Sequence, residues 1–202
     1  MIGSAFTTGF FTSFALILAI GAQNAFVLKN GILRNHVFWV CMTCAISDAL
    51  LITAGVAGFG LAVTQFPVLP VVMRYAGAAF LVFYGATRLV AAYRGGESQS
   101  ISGYSSRFWP TILTCLALTW LNPHVYLDTL GLIGAVSTQF YALSTKLAFG
   151  IGAVLASFTF FFTLGYGARF LGPVMQTSTA WRVLDLLVGV LMLFLAVGLI
   201  LG

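Results

Sequence analysis

A chain of 202 residues that is 60% hydrophobic and only 6% charged cannot bury its apolar surface as a soluble domain of that size. Its formal charge of +5 does not point to nucleic acid, because the basic residues stand singly near the ends of apolar runs and form no stripe or cluster. The composition is that of a chain built for lipid. Six stretches are apolar enough to span a bilayer, at about 20 residues each: residues 7–28, 37–64, 71–92, 108–136, 147–171 and 181–201. They use up most of the chain and leave no room for a nucleotide-binding or other soluble domain.

The first stretch has no basic residue ahead of it and is longer than a signal-peptide core, so it is expected to be retained rather than cleaved. It is interrupted by "IGAQNAF" (residues 20–26), where Gly21, Gln23 and Asn24 put a permissive backbone position and two amides at membrane depth. The second stretch carries Asp48 in "CAISDALLI". Cys41, Cys44, Asp48 and Gly55 fall on one helical face, so the carboxylate faces small residues where another helix or a ligand can approach. Cys41 and Cys44 have the spacing of a redox or metal pair. Inside an apolar helix, however, these two and Cys115 are expected to act as small packing residues.

The third stretch has Arg74 and Gly77 near its start, as the sixth has Arg182 and Gly189. A Gly- and Ser-rich polar linker, residues 93–107 with Glu97, separates the third stretch from the fourth. The fourth contains "LTWLNPHVYLDT" (residues 118–129). Pro123 lacks a backbone donor and its ring clashes with the preceding turn; Asn122 adds an amide at the same place. His124 and Asp128 are four apart, on one face, and a histidine so placed is either a proton-relay partner or a hydrogen-bonded structural residue. Asp185 is expected in the first turn of the last helix, a natural place for a carboxylate.

These elements predict an all-α integral membrane protein of about six transmembrane helices, forming one transporter domain over residues 1–202. The linker divides it into half-repeats of about 1–92 and 108–202. Three spans per half make the second half run upside down relative to the first, and the two broken helices, the first and the fourth, then correspond. Such 3+3 inverted repeats with broken helices mark secondary transporters whose substrate sits near the midplane. Lys29, Arg34, Arg88, Arg94, Arg107, Arg169 and Arg182 lie near the odd-numbered connections, against Arg74 and Lys146 near the even ones. By the positive-inside rule the odd connections face the cytoplasm and both termini face out.

Asp48 and Asp128 lie deep in apolar stretches, where a charge costs roughly 3 kcal/mol on insertion scales. Such residues usually mark a substrate or proton path, although a carboxylate paired with His124 or Thr119 could instead fasten helices together. Each interrupted helix also presents a half-helix N-terminus with positive partial charge, which suits a substrate carboxylate. Buried carboxylates, amides and open backbone together suit a small amino acid with a positive side chain. No His/Cys/Asp cluster has metal spacing, and no phosphate loop or Ser-His-Asp pattern is present, so neither metal, cofactor nor enzymatic chemistry is expected.

Three strings, "IGAQNAFVLKNGI" (20–32), "CAISDALLITAG" (44–55) and "LTWLNPHVYLDT" (118–129), with "LLVGVLM" near the C-terminus, closely resemble the LysE/ArgO-type exporters of basic amino acids. The resemblance runs essentially end to end. It implies a bacterial inner-membrane exporter of L-arginine or L-lysine, driven by the membrane gradient. Asp48 and Asp128 match that family's two intramembrane aspartates, and Asn122-Pro123 its second helix break. One position departs: the family usually reads Gly-Pro-Gln-Asn where this chain has Gly21-Ala22-Gln23-Asn24, which predicts a weaker first break that rests on Gly21.

Moving a cation out against an inside-negative potential costs about 2.3 kcal/mol per 100 mV, and inward exchange of one proton cancels that cost. A carboxylate that holds either the proton or the substrate's cation, Asp48 or Asp128, would enforce the exchange. The two breaks would hold the substrate's carboxylate and amino groups. The rivals are export of a neutral amino acid or another small cation, a thiol-disulfide electron carrier using the cysteines, and a purely structural bundle. Gly198 and Gly202 form a GxxxG pair at the chain end, a possible homodimer face.

Overall fold

A computed structural model describes residues 1–18, 21–58, 68–94, 107–173 and 177–201, without the side chains of residues 68–70 and 73. Among the described residues there is no strand. The helices are α1 (Ile2–Ile17), α2 (Ala22–Ile32), α3 (Val37–Ala57), α4 (Val68–Tyr93) and α5 (Phe108–Trp120). Then α6 (Pro123–Tyr126) passes through a π-helical stretch, Leu127–Ile133, into α7 (Gly134–Ser137). Next come α8 (Leu143–Gly167) with a 3₁₀ turn, Ala168–Leu171, and finally α9 (Ser178–Leu201). Glu97, Ile20 and Gly202 lie outside the described residues, as does the end of the second predicted stretch.

Among the described residues four helices are long and apolar enough to cross a membrane: Val37–Ala57, Arg74–Tyr93, Leu143–Leu171 and Ser178–Leu201. The first predicted span is instead a pair, α1 and α2, with axes 83° apart, and counts as a fifth crossing only if the two are taken together. The fourth is cut short at Trp120, and the 13 residues of α5 cover only about 20 Å of a roughly 30 Å hydrocarbon core. The physical cause of both departures from six straight spans is the polar break in each.

The chain packs by pairs. The two most extensive pairings are α1 along α8 and α4 along α9; α3 crosses α8 and also meets α5 and the π-helical stretch. Close approach depends on small residues, as expected where lipid supplies no hydrophobic drive between helices. Gly9 lies against the backbone of Phe149 and Gly152 against that of Phe6, so a Cβ at either would collide with the partner helix. Arg74 donates to the carbonyls of Leu199 and, at 2.5 Å, Ile200, closing the free C-terminal end of α9.

The main core gathers around α2, whose Ala22, Phe26, Val27 and Ile32 meet Cys44, Leu118, Phe161 and Met192. A smaller core of Ala5, Ile52, Val56, Ile133, Phe149 and Ala153 lies apart from it. The outer faces carry exposed Phe11, Leu50, Phe83, Leu113, Ile151 and Phe194, the reverse of a soluble surface and the proper one for lipid. Gly198 lies on open surface, with nothing within 4 Å of a Cβ built on it.

Candidate functional site

The first break lies between Ile17 and Ala22. Gly21 caps α2 in extended backbone, φ −122° and ψ 172°, and a Cβ built on it would meet nothing within 4 Å. The helix is thus interrupted at Gly21 without the family's proline. Asn24 helps hold the break, because its side-chain amide donates to the Ile17 carbonyl at 2.7 Å. An acceptor left over at the end of α1 is satisfied in this way.

The second break is built by Asn122 and Pro123. In an unbroken helix the His124 amide would donate to the Trp120 carbonyl. Here it donates to the Asn122 side chain at 3.1 Å, so Asn122 caps α6 with Pro123 at its first position. The released Trp120 carbonyl is taken by the Tyr126 hydroxyl at 2.9 Å. Gly77 of α4 faces the Leu121 carbonyl and the Pro123 ring so closely that no side chain would fit.

The two aspartates lie on α3 and on the π-helical stretch. Asp48 is 4% exposed, and its Oδ2 accepts a hydrogen bond from Ser157 of α8 at 3.0 Å. The fastening partners considered from sequence, His124 and Thr119, are not its partners: Thr119 donates to the Cys115 carbonyl. Asp128 is partly buried in the π-helical stretch and lies within electrostatic range of Asp48. The two are brought together by Gly55, which meets the backbone of Thr129 and Leu130, and by Gly134, which meets Gly55. The neighbouring Ser47 accepts from the Trp120 indole at 3.1 Å, and Trp120 and Tyr126 pair edge to face at 6.4 Å.

The other expected site residues divide. Gln23 is buried near Cys44, and its amide nitrogen has no hydrogen-bond partner. His124 is exposed, within electrostatic range of Asp128. Asn24 and Asn122 are engaged on backbone groups. The cysteines do not pair as their spacing invites: Cys41 donates to the Phe161 carbonyl at 3.2 Å, while Cys44 touches Cys115 at 3.2 Å, all three thiols being free and buried. A groove of about 670 Å³ lined by Arg34, His36, Trp39, Tyr166 and Arg169 includes neither aspartate.

One cluster was missed from sequence. Lys29, counted there as a connection charge, is 5% exposed inside α2 and meets the 6% exposed Asp185 at 2.5 Å. Arg88 approaches the same oxygen at 3.7 Å. Because α9 begins at Ser178, Asp185 lies two turns in rather than in the first turn. Nothing in the sequence marked it: Lys29 stands directly before Asn30-Gly31, a pair that reads as the end of a helix.

A family model for LysE type translocators matches residues 14–202. The chain belongs to that family. It is 41% identical over 192 residues to the arginine exporter protein ArgO of Yersinia enterocolitica, covering 95% of this chain and 93% of the relative. Proteins of the same name from Klebsiella pneumoniae and Salmonella paratyphi A are each 40% identical, covering 90% and 93% of this chain and 86% and 89% of theirs. No solved structure matches the chain. For a translocator, the arrangement has clear chemical capacity. Two interior carboxylates favour a cation, an aromatic pair beside them can hold its face, and half-helix ends at both breaks offer backbone groups to polar atoms.

Proposed function

We propose that this LysE type translocator exports L-arginine, and L-lysine through the same site, across the bacterial inner membrane in exchange for a proton. The observation that carries the reading is the seating of the Asp128 segment on α3, Gly55 against Thr129 and Leu130, which brings Asp128 within electrostatic range of Asp48 in a chain whose first and fourth stretches are broken. Two carboxylates in a low-dielectric interior repel each other and are relieved by a bound cation or a proton. One negative charge cannot serve both ligands at once, so each departure is tied to an arrival. The names of the relatives support arginine, and the Trp120–Tyr126 pair suits a flat guanidinium. His124, on the face of Asp128, serves as a proton relay. Gln23, Asn24, Gly21 and the Asn122–Pro123 break line the path to the substrate's polar end.

The two halves, about 1–92 and 108–202, act as inverted repeats in this reading. The pairing of α1 with α8 is matched by that of α5 and the π-helical stretch with α3, while α3 with α8 and α4 with α9 pair like with like. The end of the bundle holding Arg34, Arg88 and Arg169 faces the cytoplasm.

The test is efflux of preloaded labelled arginine and lysine from proteoliposomes, with and without an imposed proton gradient. Gradient-driven efflux that disappears in Asp48→Asn or Asp128→Asn supports the reading; wild type moving neither amino acid under any gradient sinks it. The electron-carrier rival needs a thiol that a partner can reach, whereas Cys41, Cys44 and Cys115 are all fully buried, and the same assay addresses it. A variant with all three cysteines replaced by alanine exports normally if this reading is right.

A further inference from the structure

The charge cluster at the basic end plays no part in the aspartate pair. Lys29 and Arg88 share a single carboxylate oxygen of Asp185, so two cations face one anion and one positive charge is left over. Uncompensated charge inside an apolar bundle is costly unless something neutralises it. The guanidinium of Arg88 lies over the Tyr84 ring at 5.2 Å from its centre, and its Nε is buried without a hydrogen-bond partner. Buried donors are rarely left so.

The cluster opens on a cavity of about 240 Å³ between α2, α4 and α5. Lys29, Arg88, Asn30, Thr111 and Thr114 line it, with Phe26 at one wall. Neither Asp48 nor Asp128 borders it. The Thr111 and Thr114 hydroxyls and the Asn30 amide already donate to backbone carbonyls, so what the walls supply is two cations and an unpaired guanidinium N–H. A small carboxylate fits that chemistry, since guanidinium presents paired donors in carboxylate geometry.

The α2 helix connects this cavity to the aspartate site. Gln23, near Cys44 and so one turn from Asp48, is six residues from Lys29, a rise of about 9 Å. We propose that Lys29 and Arg88 form an anion site that receives the α-carboxylate of the amino acid at the basic end of the path, before its cationic side chain reaches Asp48 and Asp128. This rests on the proposed function for the identity of the amino acid. The site itself requires only a small carboxylate or a comparable monovalent anion.

The test is ligand-induced thermal stabilisation of the purified full-length protein, titrated with L-arginine, with agmatine (the same guanidinium chain without the carboxylate), with acetate and with chloride. Wild type is compared with Arg88→Gln, which leaves the Lys29–Asp185 pair in place. The expected result is that wild type prefers L-arginine to agmatine by at least about tenfold, and that Arg88→Gln loses this preference while agmatine binding is unchanged. Equal weakening of both ligands, or no change in either, overturns the proposal. So does stabilisation by chloride or acetate with arginine preference intact in the variant, which makes the site one for free anions. If Arg88→Gln does not fold, Arg88→Lys keeps the charge without the fork and should reduce the preference only in part; an unaltered preference overturns the proposal. Should wild type fail to bind arginine, the exporter reading falls. Acetate stabilising wild type but not the variant would then still support a carboxylate site here, and acetate stabilising neither would overturn it.

Discussion

Ser157 donates its hydroxyl to Asp48 across the α3–α8 crossing, at 3.0 Å and with both side chains buried. The contact fastens two helices and orients a carboxylate at once, so charge and hydrogen bonding must be separated to assign a role. Asp48→Asn keeps an acceptor for Ser157 and removes the charge. Its melting temperature should stay within a few degrees of wild type while gradient-driven efflux falls by at least about tenfold. Ser157→Ala should do the converse, costing about 1 kcal/mol in stability and leaving measurable efflux. Thermal melts alongside proteoliposome flux check both.

Tyr126→Phe removes the one donor seen on the Trp120 carbonyl. The bond is only part-buried, so its loss costs about 1 kcal/mol. Denaturation of the purified variant should show that loss, and the preference among arginine, lysine and neutral amino acids should be unaltered.

Ala22→Pro restores the residue that the family usually carries. Ala22 is the first residue of α2, where a proline loses no intrahelical bond, and the preceding Gly21 is already extended as a residue before proline must be. The substitution should keep efflux and raise stability by about 0.4–1 kcal/mol through the unfolded chain. A fall in melting temperature would mean that the fully buried site has no room for the ring.

Gly55→Ala places a methyl group against the Thr129 carbonyl. It should cost about 1–3 kcal/mol of overpacking and push the π-helical stretch off α3, separating the two aspartates. Efflux should fall more than stability alone accounts for, whereas Gly198→Ala, on open surface, should change neither.

Four of the six expected spans, and the places where the other two are broken, were legible in the sequence because hydropathy is local and Gly21 and Pro123 act on their own turns. Asp48 and Asp128 stood out because carboxylates are scarce at such depth. What each touches was not legible. Ser157 sits in "ASFTFFF" as an unremarkable small residue, and only the α3–α8 crossing brings it to Asp48. Lys29 and Asp185 are 156 residues apart, so no spacing rule could join them. The amides of Asn24 and Asn122 were assigned to substrate by residue type. Their actual bonds, to Ile17 and His124, follow from where the helices stop.

The π-helical stretch has a consequence for chain length. A wide turn accommodates one residue more than an α-helix of the same number of turns, and such insertions are characteristic of functional positions. Removing a single residue within Leu127–Ile133 would let the segment relax to regular α-helix. Because the wide turn already absorbs the extra residue, both flanks would keep their facing after such a deletion. A residue added with no wide turn to absorb it would instead rotate one flank by about 100° relative to the other. Asp128 precedes most of this stretch and Gly134 follows it, so an unabsorbed insertion between them would turn the carboxylate away from the glycine that seats the segment on α3. The direction of the negative charge therefore tolerates the loss of one residue here but not the gain of one.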